Sequence, residues 1–346
     1  MKGFAVLSLM ALLAAACDRQ APIPTAAPVS ALVPAAALAA RVPVAIDASA
    51  PFLILPYAVA KALKYDKAEG LDVDWQVMPG GAQAAAALLS GSAMFSGGSL
   101  EQAVKAQAQG QELKMLVAFT RYPGIAVMVR GDLKDQIKEI KDLKGRKVGV
   151  TAIGALTHLL AITLAARAGL KPDDITIVAV GSSTMAVAFE KKEIDVGFNA
   201  DPFATQLLKS RKVALLADLR AQADSERALD GEFPSTGLLA TGDTIKNKPE
   251  IVQKMVNALV RAVIYLRAHT AGEIAAVLTD DVTGNDKLAW IDALNASRPA
   301  LSLDGRVTQA GVENAVAAYR LFGSISPDAL ISVEALYDNS WMDRVK

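Results

Sequence analysis

The segment KDLKGRKVGVTAIGALTHLLAITLAARAGLKPDDITIVAV, residues 141–180, decides the fold class of this chain. It contains a strand-like apolar run ending at Val150, a helical pattern from Leu156 to Ala168, and a second apolar run over 175–180. Short apolar runs on either side of one helix are typical of a βαβ unit, in which the two strands are parallel. The sequence therefore predicts an α/β fold with mostly parallel sheets.

The same alternation of strands and helices continues on both sides of this segment. Further strand-like runs, each separated from the next by a helical pattern or a turn, lie at 42–47, 71–78, 93–98, 113–119, 194–201, 213–219 and 237–241. After Lys248 the pattern is helical almost throughout. Two α/β blocks followed by a helical C-terminal region are therefore predicted, which suits a chain of 346 residues.

Composition narrows the classes of function. Hydrophobic residues make up 52% of the chain, which is enough for a large core, and Lys+Arg (36) equals Asp+Glu (36). A nucleic-acid-binding protein usually carries a basic surplus, so no nucleic-acid partner is expected. The single cysteine, Cys17, and the two histidines, His158 and His269, leave no Cys- or His-rich metal site, and no metal or cofactor is expected.

The N-terminus has the features of an export signal. Lys2 precedes an apolar run, Phe4–Ala16, whose 13 residues are too few for a bilayer, which needs about 20. The run ends in AAAC, which resembles a bacterial lipobox with Cys17 as the lipidated residue; an ordinary secretory signal with an incidental cysteine is the alternative. Residues 1–17 are thus predicted as a lipoprotein signal peptide. The Ala/Pro-rich residues 18–41 are predicted as a flexible tether.

Three segments, in this order and spacing, resemble a known family: YAVAKALKYDKAEGLDVDWQVMPGG (57–81), ALLSGSAMFSGGS (87–99) and GLKPDDITIVAVGSSTMAVAFEKKEIDVGFNADPFA (169–204). The family is that of the solute-binding proteins of ABC importers for nitrate, sulfonates, taurine and thiamine-precursor pyrimidines. The resemblance implies the two-lobed periplasmic-binding-protein type II fold, with a ligand cleft between the lobes. It implies a first lobe of 42–130 and 237–346, a second lobe of 131–236, and chain crossings near 129–131 and 234–237.

Loops at the carboxyl ends of the predicted strands are the candidate ligand-binding positions, because open α/β sheets bind ligands there and helix N-termini attract anions. The candidates are Ser49, Phe52, Gly80, Gly81, Ser96, Gly97, Gly98, Ser99, Arg121, Thr151, Gly154, Thr157, His158, Asn199 and Asp201. The glycines would let backbone approach a ligand, and Arg121 would pair bidentately with an anion. Alternatives stay open: Phe52 as core, Ser99 and Asp201 as helix caps, and Arg121 as a solvated surface residue.

The resemblance implies a binding protein without catalysis. We expect capture of a small anion or heterocycle (nitrate, sulfonate, taurine, aromatic acid or pyrimidine) by lobe closure, with delivery to a permease and its ATPase subunit. A monomer in the periplasm or at the cell surface, anchored to the membrane through Cys17, is expected. One alternative is an enzyme of the same fold, pyrimidine-synthase-like or futalosine-dehydratase-like; the absence of cysteine after position 17 argues against the first, and no residue set points to the second. The other alternative is a ligand-binding sensor.

Overall fold

Two five-stranded sheets form the framework of the protein, for which a computed structural model describes residues 41–47 and 51–345. The strands are β1 (Arg41–Asp47), β2 (Asp72–Met78), β3 (Phe95–Ser99), β4 (Leu113–Ala118), β5 (Ile125–Arg130), β6 (Lys147–Val150), β7 (Thr176–Ala179), β8 (Val196–Ala200), β9 (Val213–Asp218) and β10 (Thr236–Thr241).

Helices cover the sheets and make up most of the C-terminal region. They are α1 (Leu55–Ala62), α2 (Tyr65–Ala68), α3 (Gly81–Leu89), α4 (Leu100–Ala108), α5 (Leu156–Arg167), α6 (Met185–Glu190), α7 (Phe203–Lys209), α8 (Gln222–Leu229), α9 (Gly242–Asn247), α10 (Pro249–Ala268), α11 (Ala271–Val277), α12 (Asp280–Thr283), α13 (Lys287–Ser297) and α14 (Gln309–Phe322). The segment that decided the fold class forms β6, α5 and β7, and the two strands pair in parallel. The predicted α/β class is confirmed, but the prediction of mostly parallel sheets was wrong, because each sheet has two parallel and two antiparallel strand pairings.

The first sheet has the strand order β2-β1-β3-β10-β4 and is the framework of the first lobe. β1 pairs in parallel with both β2 and β3, and β10 runs antiparallel between β3 and β4. Successive side chains of β1 point to opposite faces of the sheet. Val42, Val44 and Ile46 pack in one core with residues of α1 and α10, whereas Ala45 packs against Ala84 of α3.

The second sheet, with the order β7-β6-β8-β5-β9, is the framework of the second lobe. β5 pairs antiparallel with β8, with Ile125 opposite Ala200, and also with β9. The chain therefore passes between the lobes at residues 119–124, the first crossing, and returns at 219–235, the second crossing. The first-lobe segment 42–130 implied by the resemblance ends one strand too late, because β5 pairs with β8 and β9 and so belongs to the second sheet.

Both crossings run along the carboxyl ends of the parallel strands. In the first sheet Ser99, the last residue of β3, pairs with Thr236, the first residue of β10. In the second sheet Ala200, at the end of β8, pairs with Ile125, where β5 begins. Since the crossings enter or leave the sheets at these points, the carboxyl edges of the two sheets meet across them.

The two crossings are joined by buried hydrogen bonds. Thr120 Oγ1 accepts from the backbone N–H groups of Ser235 (3.0 Å) and Thr236 (3.2 Å) and lies 2.9 Å from the Ser235 hydroxyl. On its other side the first crossing pairs with the C-terminal region, because the Arg121 N–H donates to the Ala300 carbonyl (2.8 Å). We call this three-segment arrangement, residues 119–122, 233–236 and 300–302, the pivot.

The helical C-terminal region holds both lobes. α10 packs on α1 and α2 of the first lobe, whereas α13 also packs on α7 of the second lobe, where Lys209 pairs with Asp292. α14 packs on α4 from the first lobe and on α5 from the second. The resemblance assigns all of 237–346 to the first lobe, but α13 and α14 contact helices of the second lobe as well.

Several predictions fall outside the described residues. They are the signal peptide 1–17 with its lipidation residue Cys17, residues 18–40 of the tether, and the candidate Ser49. Arg41, the last residue of the predicted tether, is already the first residue of β1. Within 41–47 and 51–345, no helix has both the length and the apolar character to cross a membrane.

Candidate functional site

The predicted glycine pair after β2 lies beside a carboxylate of the chain itself. Gly80 precedes α3 and Gly81 is its first residue. A Cβ on Gly81 would be 3.0 Å from Oδ2 of Asp47, the last residue of β1. A carboxylate is a favourable neighbour for a helix N-terminus. The place predicted for a ligand anion therefore already has a negative side chain next to it.

The candidates from Ser96 to Ser99 form a strand and not a loop. Gly97 and Gly98 lie inside β3, and Gly98 pairs with Gly237 of β10. A Cβ on Gly97 would lie 2.8 Å from Cζ of Tyr57, so this glycine provides room for the tyrosine ring. The predicted strand-like run 93–98 already contained three of these positions, and β3 extends one residue further, to Ser99 directly before α4. These candidates therefore do not lie in a loop after the strand.

Two backbone donors of the loop between β6 and α5 have partners in α5. The Thr151 N–H donates to Thr157 Oγ1 (3.0 Å), and the two threonine hydroxyls lie 2.8 Å apart. The Gly154 N–H donates to Nδ1 of His158 (3.1 Å), whose ring packs edge-on against Phe322 of α14. Burial lowers the pKa of His158, which keeps the imidazole neutral and leaves Nε2 as its N–H donor.

Asn199 and Asp201 are fully buried and already bonded. The Asn199 side chain donates to the Ser182 carbonyl (2.9 Å) and accepts from the Ala200 N–H. Asp201 accepts from Arg220 (3.1 Å), which lies on the second crossing, and from the hydroxyl of Ser297 in α13. The Asp201 carboxylate also accepts from the Thr205 N–H (2.9 Å) within α7. The ligand role of both residues stays a prediction, and their described contacts are structural.

The remaining two candidates also have partners within the protein. Phe52 is buried and packs edge-on against Trp290 of α13, with 5.2 Å between ring centroids. Arg121 on the first crossing forms an ion pair with Glu232 on the second, with 2.9 Å from Nε to Oε1. An incoming anion would have to compete with the Glu232 carboxylate for this guanidinium. Both side chains lie at the junction of the lobes.

One cavity is lined by residues of both lobes, and we call it the interlobe cavity. The second lobe contributes Pro202 and Gln206 at the start of α7. The C-terminal region contributes residues 281–286 and Trp290, whose ring packs on Phe52 of the first lobe. The cavity measures about 380 Å³, within the range of small-molecule sites. The sequence prediction missed 281–286, because nothing in this short stretch, which begins in α12, shows which part of the second lobe it will face.

A second cavity of about 300 Å³ runs along α1, and we call it the α1 groove. Ile54, Tyr57 and Ala58 form one wall, and Trp75 and Val77 of β2 form the other. Ile46 and Pro51 lie at its end near the carboxyl edge of the first sheet, and Lys61, Asp281 and Val282 complete its lining. The alternation of β2 places Trp75 and Val77 on one face, and this is the one signal in the sequence that points to the groove.

Among residues 41–47 and 51–345, no three His, Cys, Asp or Glu side chains are grouped so that they could hold a metal ion. The lining of the interlobe cavity is largely polar, and that of the α1 groove is largely apolar. Organic ligand chemistry suits such walls better than metal coordination.

Comparison with known proteins agrees with this arrangement. The sequence model described as "NMT1/THI5 like" matches residues 52–272. A solved structure from Bordetella bronchiseptica RB50 is 30% identical, has a TM-score of 0.77, and the match covers 88% of this chain and 96% of that one. The alkanesulfonate-binding protein SsuA from Xanthomonas axonopodis pv. citri, solved bound to MOPS, is 20% identical with a TM-score of 0.68, over 88% and 100% of the two chains.

A relative with a named ligand is found at the sequence level. The taurine-binding periplasmic protein of Escherichia coli (strain K12) is 28% identical over 229 residues, which is 65% of this chain and 66% of that protein. The family match spans more than half of this chain, and its sheets are arranged as in the solved binding proteins. The chain therefore belongs to the NMT1/THI5-like family and has the two-lobed α/β fold of the periplasmic binding proteins.

Proposed function

We propose that this protein is the substrate-binding component of an ABC importer, which captures a small organic ligand between its lobes and presents it to a permease. The observation that carries the proposal is the interlobe cavity, because Pro202 and Gln206 reach it from the second lobe and Trp290 from the side of the first. The names of its relatives, taurine-binding and alkanesulfonate-binding, support the same function.

Capture works through a shift between open and closed arrangements of the lobes. A ligand that contacts both walls of the cavity favours the closed arrangement, because closure alone satisfies both sets of contacts. We place the motion at the pivot, since the two crossings that join the sheets within residues 51–345 run through it.

The charges around the interlobe cavity favour an organic ligand over a bare inorganic anion. The described lining contains the carboxylates of Asp281 and Asp286, and no lysine or arginine is among those lining residues. Asp286 also caps α13 by accepting from the Ala289 N–H (2.9 Å). A ligand with a neutral or cationic group near these carboxylates, such as taurine or a pyrimidine, fits better than nitrate.

The same function implies partners and a location. The partners are the small-molecule ligand, an ABC permease and its ATPase subunit, and no nucleic acid is involved. A monomer on the outer side of the inner membrane, held there by a lipid on Cys17, is the arrangement we propose. A binding role without catalysis agrees with the named relatives.

The test is a ligand screen followed by scattering. Taurine, alkanesulfonates, nitrate, aromatic acids and pyrimidines are each added to the folded protein, and a rise in Tm together with a smaller radius of gyration is expected for at least one organic ligand. Gln206→Trp would fill the interlobe cavity and abolish the response, whereas Ala86→Trp on the exposed face of α3 would retain it. A folded protein that responds to none of these compounds would overturn the proposal.

A further inference from the structure

The α1 groove has the dimensions of a channel for an extended apolar group. Ile54, Ala58 and Lys61 are spaced four and three residues apart, so they lie along one face of α1 and its preceding residue. At 1.5 Å per helical residue, this face extends for about 10 Å. Val77 on the opposite wall is 71% exposed, an unusual position for a large apolar side chain in a strand.

Tyr57 contributes an apolar surface to the groove. It is 2% exposed, and its hydroxyl, which lies against Gly97 of β3, is buried without a hydrogen-bond partner among the described residues. Burial raises the pKa of Tyr57 well above its usual value, so the hydroxyl keeps its proton and carries no charge. Because the hydroxyl is buried, the ring of Tyr57 is the part that lines the groove.

The groove adjoins the interlobe cavity. Asp281 and Val282 line both of them, whereas Ile46 and Pro51 place one end of the groove at the carboxyl edge of the first sheet. Lys61 also lines the groove and is close enough to Asp281 for their charges to interact. These opposite charges offset one another, so the groove presents apolar walls with little net charge.

We propose that the α1 groove is a subsite for the apolar body of the ligand, and that the protein therefore selects organic molecules whose polar head lies in the interlobe cavity and whose alkyl or aryl portion lies along α1. This inference rests on the proposed function. It separates ligands with an apolar body from head-only ligands such as nitrate and taurine, since only the former fill both cavities.

The probes are taurine and its N-alkyl derivatives from methyl to decyl, whose ammonium group suits the carboxylates of the interlobe cavity. Alkanesulfonates of the same chain lengths, which lack a cationic group, are the comparison series. Burial of each methylene is expected to tighten Kd about three- to fourfold until the groove is filled, measured by isothermal titration calorimetry. A flat series whose short members bind would overturn the inference and leave the proposed function intact. Absence of binding by every long-tailed member would also overturn the inference, and the separate ligand screen then decides the proposed function.

Two substitutions of alanine by phenylalanine test where the alkyl portion of the ligand lies. Ala58→Phe would fill the groove and is expected to remove the dependence of Kd on chain length while short probes still bind. Ala86→Phe introduces the same side chain on the exposed face of α3 and is expected to keep the full dependence. If Kd depends on chain length in the same way in the two variants, the alkyl portion lies elsewhere and the inference is overturned.

Discussion

Tyr57 and Tyr122 are both almost completely buried, but their hydroxyls differ in one respect. The Tyr122 hydroxyl donates to Glu226 (3.0 Å), whereas that of Tyr57 has no partner among the described residues. We expect Tyr57→Phe to raise the free energy of unfolding by about 1 kcal/mol and Tyr122→Phe to lower it by about 0.5–1.5 kcal/mol. Urea denaturation of the two variants measures this. Loss of stability in both would show that the Tyr57 hydroxyl is bonded to water.

The described contacts of Asp201 stabilise the fold. Its carboxylate is fully buried with Arg220, and the second lobe meets α13 at this point. Arg220 also pairs with Asp218, so its charge stays compensated without Asp201, but the Thr205 N–H and the Ser297 hydroxyl lose their acceptor. Asp201→Ala is therefore expected to cost about 1–3 kcal/mol in the free energy of unfolding. The exposed pair of Lys212 and Glu190 gives the control, with less than about 1 kcal/mol for Lys212→Ala. Comparable losses in the two variants would contradict the assignment.

At the scale of elements, the contact between α5 and α14 depends on pH through His158. Burial lowers its pKa below the usual value of about 6.5, and Nδ1 accepts a hydrogen bond that a protonated ring cannot accept. The unfolded chain therefore takes up the proton at a higher pH than the folded one. The resulting stability is fully present above about pH 6.5 and is lost as the pH falls through the lowered pKa of the folded state.

The measurement for His158 is the free energy of unfolding between pH 7 and pH 5. His158→Gln is expected to show a smaller fall than the unmodified protein, because glutamine can still accept from Gly154 but does not titrate. Identical pH profiles for the two proteins would refute a role for His158.

Helices and strands were predictable from the sequence where the pattern of apolar residues within the element itself is clear. The period-two run of β2, the apolar run of β8 and the helical pattern of α5 each contain their own periodicity, and each formed as expected. The candidate site was less predictable, because its properties arise from contacts distant in sequence. Gly97 resembles a ligand-binding glycine until Tyr57 is seen to cover it, and Gly81 until Asp47 is seen beside it.

For the molecule as a whole, α13 and α14 join the two lobes into one cooperative unit. One buried apolar cluster extends from β4 through α14 to α5, and so contains residues of both lobes. The three tryptophans, Trp75, Trp290 and Trp341, all belong to the first lobe and its attached helices. We expect denaturation followed by tryptophan fluorescence to coincide with that followed by far-UV circular dichroism, which reports both lobes. Separate transitions would show that the lobes unfold independently.

The two-lobed organisation was predictable from the sequence, but the position of the first crossing was not. Its location depends on which sheet β5 joins, and that choice follows from antiparallel pairing with β8 and β9, which lie far ahead in the sequence. The apolar residues of β5 would be equally acceptable in either sheet. Global topology, and with it the α1 groove, therefore required the structure.

The central place of β10 has a consequence for how the molecule is assembled. β10 lies between β3 and β4, yet the entire second lobe separates it from them along the chain. During synthesis the second lobe, a single continuous stretch, can complete its sheet while the earlier strands still have two unpaired edges. The portion of the chain that is made first is thus the last to be finished, and until then it needs protection from association with other chains.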